Sequence, residues 1–160
     1  MKNILVKSLF KINSSNWNVK DRSEEKDLYE KYLESHEISL KSFKKFLPGE
    51  WDYKFIDGEY ETIHQALHHT FYAIRDLWVK NAPCNILYTD PDTLATKPIN
   101  IWGQYDKFMM FGFSDPKSFY RPNVYGLVFP NFFNAGVRYF PATMREITWQ
   151  DGLKDRKSTR

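Results

Sequence analysis

The sequence predicts an α/β fold: a mostly parallel central sheet flanked by helices. Three observations carry this. Strand-length apolar runs at residues 3–12, 51–57 and 86–88 are separated by two longer helical patterns. The second helical pattern is continuous, with Ile63, Ala66, Leu67, Thr70, Phe71, Ile74, Leu77 and Trp78 on one stripe of a helix facing a sheet. The order strand, helix, strand, helix, strand then implies parallel pairing through right-handed crossovers.

The chain has 160 residues, the size of one domain with a substantial core. We read residues 1–150 as that domain and 151–160 as a polar, basic tail. An aromatic share of 18% supplies large side chains for burial and argues against a disordered chain. The 23 Lys and Arg against 20 Asp and Glu leave a net charge of +3, too mild to argue for nucleic acid, with much of the excess in the tail and no basic stripe outside it. One cysteine, Cys84, permits no internal disulfide and fits a reducing, cytoplasmic compartment. No apolar run approaches the roughly 18 residues of a membrane span. The N-terminus reads as a first strand rather than a signal peptide.

Taken in order, Ile4, Leu5, Val6, Leu9, Phe10 and Ile12 make a buried first strand. Residues 13–21 form a polar loop in which Trp17 either packs on the core or covers a ligand. Ser23 followed by Glu24 and Glu25 starts a helix, since a hydroxyl caps free N–H groups and acids suit the positive end of the dipole. Apolar residues from Leu28 to Leu47 keep helical spacing with a weak middle, which fits two helices or one kinked helix. Lys41, Lys44 and Lys45 form a solvated face, and Pro48-Gly49 stops the pattern. Residues 51–57 alternate and end in Asp57-Gly58, a strand followed by a turn. Glu59 or Glu61 suits the first turn of the next helix. His64 and His68 share a face of that helix and His69 adjoins them, but no metalloprotease Glu accompanies them, so they read as helix-flank residues. Residues 98–105 suggest a short helical turn, and 107–113 a further strand with Met109 and Met110 as core filler. Residues 114–123 form a loop, 127–129 another strand, and 130–140 a polar bend entering a last strand.

The chemistry concentrates where the third strand ends, at Asp90-Pro91-Asp92. On an extended backbone, residues two apart share a side, so both carboxylates leave the strand together. Two adjacent anions repel unless a cation lies between them. A hard ion such as Mg²⁺ or Mn²⁺ suits oxygen ligands and completes its shell with phosphate and water. Asp, Pro and Thr are equally turn formers, so the same residues also read as a bare turn. The carboxyl edge of an open α/β sheet is where ligands bind, which favours a site.

The run Asp90-Pro-Asp-Thr-Leu-Ala-Thr-Lys-Pro-Ile99 resembles the Asp-X-Asp (DXD) segment of nucleotide-sugar glycosyltransferases of the Rossmann-like GT-A fold. Phe133-Asn134-Ala135-Gly136-Val137 is similar to the Asn-Ala-Gly-Val segment that lines the donor-sugar pocket in that group. The likeness covers roughly residues 2–140. It implies a metal-dependent glycosyltransferase that moves a sugar from a nucleotide-sugar donor to a glycan, lipid or protein acceptor. Asp90 and Asp92 would be the metal residues, with Asp90 supporting the metal or the ribose. Asn134, Ala135 and Gly136 would orient the donor sugar, with a ligand approaching the backbone of the last two. Lys7 and Ser8 would lie near the nucleotide, or Lys11 in another register. Arg75, Lys117 and Arg121 are further candidates for the nucleotide or its diphosphate. Asp106, Asp115 and Glu146 are available as an acceptor base, and nothing selects one of them, so the catalytic residue is unassigned. The chain departs from the family in its short C-terminal part and in having no His after His69. A non-catalytic, donor-binding or structural relative is therefore the alternative expectation.

Overall fold

A computed structural model describes residues 1–12, 23–114 and 133–143. Seven elements follow in order: β1 (Lys2–Ile12), α1 (Ser23–Phe46), β2 (Asp52–Tyr60), α2 (Ile63–Asn81), β3 (Cys84–Thr89), β4 (Met109–Ser114) and β5 (Phe133–Phe140). The expected loop at 13–21, the strand at 127–129 and the tail at 151–160 lie outside the described residues.

Among these residues the strands form one sheet in the order β2-β1-β3-β5-β4. β1 pairs in parallel with both β2 and β3, as the alternating order requires. β5 runs antiparallel to β3 on one side and to β4 on the other. The sheet is therefore mixed, with β5 reversed against four co-directional strands. Hydrophobic alternation reads the same in either direction, so the sequence pattern carries no information about that reversal.

Alternation along β1 divides the core into two layers. Ile4 and Val6 join Ile56, Ile74, Trp78, Ile86 and Tyr88 beneath α2. Leu5 joins Phe43, Leu47, Leu87, Ala95, Ile101 and Tyr139 beneath α1. One helix thus covers each face of the sheet around β1 and β3. Burying a large aliphatic side chain contributes about 1.5–3 kcal/mol, so these layers dominate the stability of the described fold.

One local alternative is resolved and four local expectations need correction. The long N-terminal pattern is one helix of 24 residues; its weak middle survives because Ser39 is buried and hydrogen-bonded to the carbonyl of Thr93. β2 does not turn at Asp57-Gly58 but continues to Tyr60, which pairs with Ile12. Gly58 is accommodated there because the Tyr60 ring occupies its missing side-chain space: an added Cβ would meet Tyr60 Cε2 at 2.7 Å. Neither Glu59 nor Glu61 enters the first turn of α2; Thr62 caps it instead. Thr62 Oγ1 accepts from the Gln65 N–H at 3.3 Å, and Gln65 Oε1 accepts from the Thr62 N–H at 3.1 Å. Leu67, expected on the apolar stripe of α2, is 51% exposed. The segment at 98–105 makes turns rather than a helix, with the Gln104 N–H donating to the Ile101 carbonyl at 3.2 Å.

Candidate functional site

The carboxyl ends of β1 and β3 meet the early part of β5 at one edge of the sheet. Lys7 pairs across from Thr89 and is completely buried on the α1 face. Its Nζ donates to Thr89 Oγ1 at 2.6 Å and to the Asp90 carbonyl at 3.0 Å, and lies 4.6 Å from the centre of the Phe43 ring. Burial lowers the Lys7 ammonium to about 8, while the charges of Asp90 and Asp92 act in the opposite sense. The sequence pointed to Lys7 as a donor contact; the structure ties its ammonium to the strand end itself.

Beyond Thr89 the chain turns, and the Thr93 N–H donates to the Asp90 carbonyl at 3.2 Å. The premise of an extended Asp90-Pro91-Asp92 is thereby corrected: the segment is a hydrogen-bonded turn, with Asp90 partly buried and Asp92 exposed. The two carboxylates still interact. Asp90 is raised above the ordinary carboxylate range by burial first and by the charge of Asp92 second, offset by Arg138, Tyr88 and Lys7. Helix α1 holds the turn from beneath. Ser39 Oγ donates to the Thr93 carbonyl, and Ser42 Oγ accepts from the Ala95 N–H at 2.9 Å.

Asp90 also joins β3 to β5. Its N–H donates to the Gly136 carbonyl at 2.7 Å. Its carboxylate fills the space beside Gly136, where an added Cβ would lie 2.7 Å from Oδ2. The Asp90 carboxylate thus occupies the space beside Gly136 on this side, and a ligand would reach the Gly136 backbone there only if that side chain moved. Asn134 and Ala135 lie on the same strand, with Asn134 paired to Phe113.

On the α2 face the edge carries further polar groups. Tyr88 Oη donates a long hydrogen bond of 3.5 Å to Asp90 Oδ1 and shares one of 2.9 Å with Ser8 Oγ. The Arg138 guanidinium lies 5.4 Å from the centre of the Tyr88 ring. Sequence reasoning missed Tyr88, read as plain core, and Arg138. Strand alternation could have found Arg138, because it shares a face with Gly136.

Family models, curated proteins and solved structures were compared with the chain, and none matches it.

The donor set at the edge fits a hard divalent cation in part. It offers two carboxylates whose mutual repulsion such an ion would relieve, leaving most of its shell for phosphate and water. No group of three His, Cys, Asp or Glu side chains able to hold a metal occurs among the described residues. His68 is exposed beside Tyr72, and His69 packs against Phe10 and Tyr60. Arg75 lies on α2 with Asp76 at 3.7 Å. Asp106 is at the opposite edge, in a depression of about 290 Å³ shared with Met1, Asn85, Gly103 and Thr143. That depression is remote from Asp90, because Asn85 lies at the start of β3 and Asp90 follows its end. Trp17, Asp115, Lys117, Arg121 and Glu146 lie outside the described residues. No helix among those described is long and apolar enough to cross a membrane.

Proposed function

We propose that the edge formed by β1, β3 and β5 binds a nucleotide sugar, and that the chain is a metal-dependent glycosyltransferase of the GT-A type. The reading rests on one observation: the two segments that carry the resemblance, far apart in sequence, meet at a 2.7 Å hydrogen bond between Asp90 and Gly136. Asp90 and Asp92 would hold Mn²⁺ or Mg²⁺. When bound, that ion supplies Lewis-acid stabilisation of the charge gained by a leaving nucleoside diphosphate. Lys7 secures the end of β3, and the Ser39 and Ser42 hydroxyls secure the turn, so the backbone that carries the two carboxylates is fixed before a ligand arrives. Asn134 offers a donor and an acceptor suited to sugar hydroxyls. The acceptor is a glycan, lipid or protein.

The position of Asp106 favours a second reading, a glycosyltransferase-like protein that binds donor without turnover. This candidate base lies at the edge opposite the carboxylates.

Thermal stability against a panel of nucleoside diphosphates, with and without Mn²⁺, tests the shared core of both readings. One nucleotide is expected to raise the melting temperature only with metal, by the equivalent of about 2.7 kcal/mol at a ligand concentration of about 100 Kd. Asp92→Ala should abolish the rise while leaving ligand-free stability unchanged, since Asp92 is exposed. No shift with any nucleotide removes both readings. Hydrolysis of the matching nucleotide sugar then separates enzyme from binder.

A further inference from the structure

Arg138 stands out at this edge. It pairs directly across from Tyr88 on β5, and its guanidinium rests over the Tyr88 ring. Its Nε is closed to solvent and has no hydrogen-bond partner. Arg138 and Asp90 feel each other's charge, yet no ion pair joins them: the acids in ion pairs among the described residues are Asp52 and Asp76. Lys7, the other cation of the edge, is engaged by Thr89 and the Asp90 carbonyl. A desolvated donor without an acceptor is uncommon in folded proteins and calls for a reason.

We propose that Arg138 is a phosphoryl-binding residue, taking a diphosphate oxygen of the ligand through its guanidinium N–H groups. The inference rests on the donor-binding reading of the same edge. A planar guanidinium matches phosphoryl oxygens two at a time, and the Tyr88 ring beneath it restricts its plane before a ligand arrives. Asp90 would repel a bare anion, so Asp90 and Asp92 would hold a cation that offsets this repulsion, and Arg138 would add a second positive group for the diphosphate. The alternative is purely structural: Arg138 only covers the Tyr88 ring.

Isothermal titration of the whole chain with inorganic pyrophosphate and with the nucleoside diphosphate selected above decides the matter. Wild type, Arg138→Met, Arg138→Lys and Asp92→Ala are each measured in Mn²⁺ and in EDTA. Arg138→Met should weaken both ligands roughly 10- to 100-fold, the range for losing a charge-assisted hydrogen bond, and Arg138→Lys should recover part of the loss. A lower melting temperature for Arg138→Met with unchanged affinities overturns the proposal in favour of the structural role. Should Arg138→Met fail to fold, Arg138→Lys decides: a several-fold loss supports the proposal and an unchanged Kd overturns it. Binding that needs Mn²⁺ and Asp92 but not Arg138 overturns this inference and leaves the metal reading standing. Binding that needs Arg138 but persists in EDTA and in Asp92→Ala supports the inference and removes the metal reading. No binding of either ligand overturns both.

Discussion

Gly136 and Asp90 show how one residue's absence of a side chain becomes another's place. The Asp90 carboxylate sits where a Cβ on Gly136 would go, 2.7 Å from Oδ2. Gly136→Ala should therefore displace the carboxylate and cost about 1 kcal/mol, the low end of the overpacking range, because the group displaced is the end of a partly buried side chain. In an Asp90→Ala background the same change should be nearly neutral, because the clash is gone. Urea denaturation of the four members of the cycle checks this; additive costs would show that the methyl meets something other than Asp90. Both residues were legible in the sequence as members of separate segments. Their contact was not, because it depends on β5 entering beside β3 in a particular register. Lys7 was legible as a candidate too, but its hydrogen bonds to Thr89 and the Asp90 carbonyl exist only through strand pairing.

At the scale of elements, the helices tie the site together as well as covering the sheet. Ser39 lies mid-helix, where sequence reasoning placed only a weakness. It is fully buried and donates to the Thr93 carbonyl. Ser39→Ala should leave that carbonyl without its partner and cost about 1–3 kcal/mol. Amide exchange should quicken at Thr93 and Leu94 while β3 stays protected; uniform exchange across the chain would argue against a local strap. The cap of α2 shows a different limit. Acids near a helix start are a sound general signal, but Glu59 is held in β2 opposite Lys11, and the reciprocal Thr62–Gln65 pair takes the position instead. The continuation of β2 through Gly58 has the same origin, because pairing with β1 outweighs a local turn preference.

For the whole molecule, burial ties stability to pH. The Tyr53 phenol is pushed up to about 12 by burial, from an ordinary 10.0. Above about pH 10 the unfolded chain loses that proton while the native chain keeps it, so unfolding releases protons. Tyr53 therefore contributes stability that is complete below its ordinary range and is lost as pH rises from about 10 towards about 12. Urea midpoints across that window should fall more steeply for wild type than for Tyr53→Phe, and parallel curves would contradict this assignment. The sequence supplied no sign of the effect, since Tyr53 reads simply as one residue of an alternating strand.

What the sequence determined by itself was the repeating layout: the apolar periods that make β1, α1, β2, α2 and β3, their parallel pairing, and the residue types at the sheet edge. The periods and residue types are local properties, set by which side of a strand or helix each residue faces, and the parallel pairing follows from the alternation of strands and helices along the chain. The tertiary structure alone decided the reversal of β5, the turn at Asp90, the use of Gly136 by a carboxylate and the arrival of Arg138 over Tyr88. Each of these depends on contacts between segments distant in the chain. Periodicity assigns a face but is silent on strand direction and on which neighbour lies alongside.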